Sequence, residues 1–505
     1  MSDPFPPSPR YPPAPPGAST APPPFGGEAP AEPPRHSSGR VFAIVGAVAI
    51  FVAGVGLVLW VTFGRADGPS HPDDWDPRVA DIAEFVQTER GVLFDHPVHV
   101  DFLSDEEFTA DVTASEDDLT DEDRESIEQA ESMLRALGLA PGDVDLFDNQ
   151  NQLMGEGVLA YYDPEEERIR VRGVELTPDV EVTLAHELTH ALQDQFVDLD
   201  EVRDGLDDDA QGRYRAVVEG DASNVENAYI EEELTEAERG EYQRVSAAEA
   251  DEIDLEGIPP ALVAYFQAPY AFGPYFDQIV ERQEGVAGLN NLLREPPESD
   301  RQLFDPRVYF DGDGPEPVDI PPIPDGAEPI DDGEFGALTW YVMLASRIPP
   351  IPALDVIDNW AGDSFVSYDD DGEVCVKARY RAPDPAAAQI VQNRLESWID
   401  ASRSEDTSLS KLDDRTLELL ACDPGLDAAA GTEVDPSELL TTPATRLALV
   451  ADALGSLAGD LDGAWCAADG VVRSVSPEDL ASGELSASER QAIDEVMQNC
   501  GLQPA

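Results

Sequence analysis

Histidine and basic residues are scarce in this sequence. The 505 residues include six histidines, none of which follows His190. Lysine and arginine together number 31 against 105 acidic residues, which gives a formal net charge of -74. A surface with this charge repels nucleic acid and anionic membrane surfaces, so the composition argues against binding to either. Solubility at high ionic strength would explain the same composition equally well.

Cysteine is also rare, and no pair has the C-x-x-C spacing of metal fingers or thioredoxin-like sites. The four cysteines all lie in the last third of the chain. Two structural disulfides fit this distribution better than a metal site. Because each pair is nearest in sequence and brackets one compact unit, we expect disulfides between Cys375 and Cys422 and between Cys466 and Cys500.

The N-terminal part differs in composition from the rest. Residues 1–40 contain fourteen prolines and predict an extended cytoplasmic tail, which spaces and solvates or docks a protein partner. Residues 41–63 form an uncharged apolar run that predicts one transmembrane helix. A secretory signal peptide is the alternative. The flanking charges predict a cell-membrane protein with the N-terminus in the cytoplasm and the chain beyond residue 64 outside it.

One stretch contains the pattern of a metal site. It is VTLAHELTHALQDQF, residues 182–196, with H-E-x-x-H at its centre. On a helix, His186 and His190 stand one above the other, so both imidazoles can reach one zinc ion. Glu187 lies beside them, where its carboxylate can take a proton from activated water and pass it to a leaving amine. An ordinary helix with two solvated histidines is the alternative, and the scarcity of histidine argues against it.

A catalytic zinc ion has three protein ligands and one open position, so a third ligand is needed. Since no histidine follows His190, a ligand from the C-terminal side must be a carboxylate. Glu219 lies in an apolar-flanked part of the predicted helix 211–233, where a carboxylate would point inward and need a partner. The other candidates are Asp198, Asp221 and Glu226, with His96 and His99 on the N-terminal side.

These motifs resemble the gluzincin zinc metallopeptidases, in which a glutamate on a second helix completes the H-E-x-x-H site. More closely, the chain resembles a family of bacterial neutral zinc metallopeptidase-like proteins. That resemblance rests on HELTHALQDQ (186–195) and EGDA (219–222), with further similar stretches between residues 90 and 400. They are PYAFGPYF (269–276), PPESDRQLFDP (296–306), GEFG (333–336) and NWAGD (359–363).

The resemblance implies zinc ligands at His186, His190 and Glu219, and a general base at Glu187. It also implies that the hairpin 157–171 supplies an edge strand that aligns a peptide substrate, through the residues Val158, Leu159, Ala160 and Tyr161. Two positions depart from the expected pattern. Ser223 stands where gluzincins have an aspartate that orients a zinc histidine, and Asp305 precedes Pro306 where this family often has a histidine.

A developing oxyanion needs a hydrogen-bond donor as well as the metal. With no free histidine downstream, tyrosine is the remaining source, and Tyr270 is the first candidate. Tyr275 and Tyr229 are the others. For each of them a place in the apolar core is the alternative.

The sequence thus predicts an α+β, zincin-like metallopeptidase with a mixed sheet and an active-site helix. It would follow a single transmembrane helix and precede a small disulfide-linked helical region. The expected function is a membrane-anchored, extracytoplasmic zinc metallopeptidase acting on a peptide or protein, and the alternative is a catalytically silent scaffold that binds envelope proteins or peptides. The expected segments are a tail (1–40), a transmembrane helix (41–63), a linker (64–89), the metallopeptidase domain (90–330), its C-terminal α+β part (331–425) and a helical unit (426–505).

Overall fold

The computed structural model describes residues 71–115, 119–252, 255, 257–402, 407–428, 436–457, 459–482 and 485–502. These residues all belong to one compact unit, Arg40–Ala505. The predicted tail, 1–40, and the predicted transmembrane helix, 41–63, lie outside the described residues.

The described chain is of the α+β class, with two separate sheets. Its strands are β1 (His99–Leu103), β2 (Ala160–Asp163), β3 (Arg168–Arg172), β4 (Glu328–Gly333), β5 (Gly362–Asp370), β6 (Glu373–Arg381), β7 (Thr407–Lys411) and β8 (Thr416–Cys422). The helices up to residue 252 are α1 (Ala80–Arg90), α2 (Asp105–Val112), α3 (Asp121–Ala136), α4 (Leu146–Gly157), α5 (Pro178–Val197), α6 (Leu199–Asp204), α7 (Asp208–Glu232) and α8 (Glu236–Glu252). Those that follow are α9 (Pro260–Glu284), α10 (Val286–Leu292), α11 (Asp300–Phe304), α12 (Pro306–Asp311), α13 (Gly336–Ala345), α14 (Pro350–Asp358), α15 (Pro385–Ser402), α16 (Pro436–Ser456), α17 (Leu461–Val472), α18 (Pro477–Ser482) and α19 (Ala487–Asn499).

The first sheet is small and mixed, with the strand order β1-β3-β2. β1 runs parallel to β3, and β2 runs antiparallel to it. In β3 the sequence RIRVR alternates, so Ile169 and Val171 are buried while the arginines point to the other face. The buried face packs against α5, which carries the H-E-x-x-H residues, and this contact makes one of the protein's cores.

A close crossing joins α7 to α9. A Cβ atom placed on Gly220 would lie 2.3 Å from the carbonyl carbon of Gly273, and one placed on Gly273 would lie 1.9 Å from the carbonyl oxygen of Ala216. Only glycine fits at such a backbone contact. The glycines of EGDA and PYAFGPYF therefore serve the same packing contact, which fixes the helix that carries Glu219.

The second sheet is antiparallel, with the order β4-β5-β6-β8-β7. β5 and β6 are joined by Asp371-Gly372, both at positive φ, the geometry of a type I′ hairpin turn. Cys375 and Cys422 lie directly opposite each other on β6 and β8 and form the first predicted disulfide. The main core of the protein packs between this sheet and the helices α9, α13 and α16.

Asp363 and Asp300 bring three of the sequence stretches quoted above into contact with one another or with α13. Its carboxylate accepts hydrogen bonds from the indole N–H groups of Trp340 and Trp360, at 2.9 and 2.7 Å, and from the backbone N–H of Phe335, at 2.7 Å. Asp300 accepts from the N–H of Leu338 in the first turn of α13. NWAGD, GEFG and PPESDRQLFDP thus meet in the interior, where they hold the scaffold together.

The C-terminal helices dock on the main core through a buried arginine. Arg446 is fully buried, pairs with Asp358 at 2.8 Å and Asp469 at 3.0 Å, and its guanidinium lies over Trp465. The second predicted disulfide, Cys466–Cys500, joins the end of α19 to α17.

The prediction of a single-pass membrane protein requires correction. A helix that crosses a bilayer needs about 20 consecutive, mainly apolar residues. In the described part of the chain no helix combines that length with that composition. The two longest helices, α7 and α9, have 25 residues each, but both carry several charged side chains. The transmembrane element of the predicted fold class, the membrane localisation and the extracytoplasmic topology are therefore withdrawn.

Candidate metal centre

The sequence defines both ends of α5, the helix that presents His186, Glu187 and His190. Thr177 is its N-cap residue, in an extended conformation, and Pro178 is the first helical residue, where its missing N–H costs nothing. At the other end Asp198 adopts a left-handed conformation, with φ 56°. Most residues between 182 and 193 are buried. The motif is therefore held inside the protein.

Three side chains converge where α5 passes α7. Glu219 Oε2 lies 3.2 Å from His186 Nε2 and 3.3 Å from His190 Nε2. The three ligand atoms lie within 4.8 Å of one another, and the side chains of His186, His190 and Glu219 are only 10%, 13% and 11% exposed. Two ligands of a tetrahedral zinc ion, each about 2.0–2.1 Å from the metal, are about 3.3 Å apart. The residues present therefore fit zinc.

The electrostatics of the cluster favour a positive charge between Glu219 and the two histidines. Burial alone would lower the pKa of His186, but hydrogen bonds to Glu219 and Glu226 outweigh it and raise that pKa. Burial would raise the pKa of Glu219, yet the hydrogen bonds from both histidines hold it well below its ordinary range. Without a metal, protons on the histidines supply the charge that the carboxylate requires.

Glu226 orients the first histidine. It lies seven residues after Glu219, on the same face of α7, and its Oε2 is 3.1 Å from His186 Nδ1. A carboxylate at this nitrogen holds the proton on Nδ1 and leaves Nε2 free for a metal. Glu226 was one of the candidates for the third ligand, and the structure gives it this supporting contact instead.

Gln193 orients the second histidine. Its amide nitrogen donates to the carbonyl of Val218, at 3.1 Å, and to Asp221, at 2.8 Å. The amide oxygen is then the atom 3.0 Å from His190 Nδ1, and because it can only accept, Nδ1 carries the proton. Asp221 is in turn paired with the buried Arg90. Asp221 thus supports the site through Gln193.

Glu187 lies next to this cluster and is itself 6% exposed. Burial raises the pKa of its carboxyl group, while the nearby histidines act in the opposite direction. The backbone N–H of Tyr162 in β2 donates to the same carboxylate. The residue predicted as general base is therefore anchored to the neighbouring strand.

The predicted substrate strand is the edge strand β2 of the first sheet. The N–H of Arg172 donates to the carbonyl of Leu159, so Leu159 and Tyr161 direct their backbone groups towards β3. Ala160 and Tyr162 then direct theirs towards the open edge, where Tyr162 meets Glu187. Ala160 is thus the predicted residue whose backbone faces the site. Val158 precedes the strand, and the Tyr161 hydroxyl donates to Asp111 at 2.6 Å.

Of the three tyrosine candidates, the structure brings Tyr270 to the site. Its ring centre is 6.3 Å from that of His186, and the residue is 40% exposed. Tyr229 packs against Phe85 in the core beneath α5, and Tyr275 packs against the main core. The remaining ligand candidates lie elsewhere: Asp198 caps α6, His96 stacks on His71, and His99 is in β1.

No protein family model, curated protein or solved structure matches the chain. The resemblance to gluzincins therefore remains a prediction that rests on the motifs quoted above.

Sequence reasoning missed Arg215 and Gln193. Arg215 lies one turn before Glu219 on α7, and its Nε is 3.3 Å from Glu219 Oε1. Helical spacing could have indicated both residues, since Gln193 is three residues after His190 and Arg215 four before Glu219.

Proposed function

We propose that this protein is a zinc-dependent metallopeptidase that hydrolyses peptide bonds, with His186, His190 and Glu219 as the metal ligands. The observation that carries the proposal is the position of Glu187, a buried carboxylate beside three convergent ligand groups. A zinc ion bound there would supply Lewis acidity and make a water molecule acidic enough to be deprotonated near neutral pH.

Residues around the ligands would carry out the other steps of the reaction. Glu187 would accept the proton of the attacking water and pass it to the leaving amine, and burial raises the pKa of its carboxyl group in the direction that strengthens a general base. The backbone of Ala160, at the edge of β2, would pair with an extended substrate as an added strand. The hydroxyl of Tyr270 would donate to the oxyanion. Glu226 and Gln193 would hold the proton on Nδ1 of each histidine, so that Nε2 faces the metal.

The test is the substitution Glu187→Gln, with Glu181→Gln on the same helix as the matched control. Glutamine keeps the size of the side chain but cannot act as a base, so zinc stoichiometry should stay the same while peptide hydrolysis falls about 10²- to 10⁴-fold. Glu181→Gln should change neither, because Glu181 lies beside Tyr229, away from the ligands.

Two outcomes would contradict the proposal. If Glu187→Gln cleaves peptides as fast as the unaltered protein, Glu187 is not the base. If the unaltered protein binds zinc but cleaves nothing in a broad peptide library, a binding scaffold is the better description.

A further inference from the structure

Arg215 is a nearly buried arginine that points at the ligand set. Its side chain is 15% exposed, and it lies on the same face of α7 as Glu219, one helical turn earlier. On an exposed helix, an arginine and a glutamate with this spacing would form a weak ion pair. Here both side chains are shielded from water, so screening is reduced and the geometry of the pair matters more.

Because of Arg215, the two carboxylate oxygens of Glu219 have different partners. Its Nε donates to Oε1 at 3.3 Å, while Oε2 faces both histidine Nε2 atoms. A carboxylate without such a partner can rotate and offer either oxygen. With Oε1 occupied by the guanidinium, only Oε2 is presented on the histidine side.

The same guanidinium also reaches Tyr270. Arg215 donates a hydrogen bond to the Tyr270 hydroxyl. The planar guanidinium can bind two partners at once in a fixed relative geometry, which a lysine cannot do. Arg215 thus links the third ligand on α7 to the tyrosine on α9.

The charges of the site are consistent with this arrangement. Three carboxylates, Glu187, Glu219 and Glu226, surround the two histidines. A divalent ion supplies two positive charges, and the permanently charged Arg215 supplies the third. Its loss would leave a net negative charge in a site that excludes most water, which is costly.

We propose that Arg215 is a positioning residue, which fixes Glu219 to offer one oxygen to the metal and holds the Tyr270 hydroxyl at the reaction centre. This inference rests on the proposed zinc peptidase function. It predicts that Arg215 affects both metal affinity and turnover, whereas Tyr270 affects turnover alone.

The experiment compares Arg215→Met, Arg215→Lys and Tyr270→Phe in the full chain. Zinc affinity is measured by competition with a chelator. The ligand field is followed in the visible spectrum of the Co²⁺-substituted protein, and kcat and KM are measured on a peptide substrate. Arg215→Met should lower zinc affinity about 10- to 100-fold, the range for lost outer-shell partners. It should also alter the Co²⁺ spectrum and reduce kcat more than it changes KM. Arg215→Lys should show the same changes to a smaller extent.

Tyr270→Phe should leave zinc affinity and the Co²⁺ spectrum unchanged and lower kcat alone. The double variant Arg215→Met/Tyr270→Phe should turn over no more slowly than Arg215→Met, because the Tyr270 hydroxyl is already out of place once Arg215 is lost. Arg213→Met is the matched control. Arg213 lies two residues earlier on α7 but donates to the carbonyl of Pro297 and pairs with Asp300 at 3.8 Å. It should lower stability without changing zinc affinity.

The possible failures are distinguishable. If the unaltered protein binds zinc and both Arg215 variants match it in affinity and spectrum, the inference is wrong and the proposed function stands. An equal loss of zinc affinity in Arg213→Met would also overturn it, since the effect would then reflect general destabilisation. If the unaltered protein binds neither Zn²⁺ nor Co²⁺, the inference and the proposed function both fail.

Discussion

The close contact between Gly220 of α7 and Gly273 of α9 allows the effect of a substitution on stability to be predicted from distances in the structure. In Gly273→Ala the new Cβ would lie 1.9 Å from the Ala216 carbonyl oxygen, whereas real Cβ atoms essentially never come within 3.0 Å of such a neighbour. The helices must therefore separate by about 1 Å, the difference between these two distances. Overpacking of this kind costs about 1–3 kcal/mol of unfolding free energy.

The same displacement should reach the metal ligands, because Glu219 is adjacent in sequence to Gly220, which contacts Gly273. A shift of about 1 Å in a positioned group can cost about 10²-fold in activity. We expect Gly273→Ala to unfold at lower urea concentration in the metal-free state, to bind zinc more weakly and to hydrolyse peptides more slowly.

Gly240→Ala is the control for this experiment. Gly240 lies in α8, and a Cβ atom there would have no neighbour within 4 Å. Alanine is the better helix former by about 1 kcal/mol, so this variant should be as stable as the unaltered protein or more stable. If Gly273→Ala behaved like Gly240→Ala in urea unfolding and in zinc titration, the close crossing would not hold Glu219 in place.

Two further predictions concern the surroundings of the site. Glu226→Gln should weaken zinc binding about 10- to 100-fold in a chelator competition, because it removes the charge that holds the His186 proton on Nδ1. The control is Glu231→Gln at an exposed position of the same helix, which should leave zinc affinity unchanged. If both variants bind zinc with the same affinity, the role given to Glu226 is wrong. Burial raises the pKa of Asp194 from its ordinary value of 3.8 to about 6, although Leu199 N–H and the Tyr162 hydroxyl donate to it. Since the folded chain then binds a proton that the unfolded chain releases, this group's contribution to stability is lost as the pH rises from about 4 to 6. In urea unfolding, Asp194→Asn should gain stability relative to the unaltered protein as the pH rises across that interval. If the stabilities of the two proteins change in parallel with pH, the raised pKa of Asp194 is contradicted.

The helical spacing of the sequence was enough to place part of the site. Two histidines four residues apart must share a face of α5, and the absence of any later histidine left only carboxylates on the C-terminal side for the third ligand. The residues alone did not separate Glu219 from Asp221 or Glu226; the resemblance to gluzincins singled it out. The structure separates them by their contacts, since only Glu219 faces both histidine Nε2 atoms, whereas Glu226 bonds His186 Nδ1 and Asp221 accepts from Gln193.

Other features depend on contacts that no local pattern encodes. The 25-residue helix α9 contains Pro269 and Pro274 in its interior, and prolines normally indicate a helix end. Its close approach to α7, and with it the pairing of Tyr270 with Arg215, arises only in the folded chain. The two disulfides were predicted from sequence proximity and are present, whereas the transmembrane helix was predicted from an apolar run outside the described residues.

The hydrogen bonds to Asp363 have a consequence for recognising proteins of this kind in genomes. The stretches NWAGD and GEFG meet in the interior around one carboxylate and contain none of the residues that would perform hydrolysis. A search built on them would collect chains with this scaffold whether or not Glu187 or Arg215 is present. Enzymes and silent paralogues would therefore have to be separated by inspecting a handful of positions on α5 and α7.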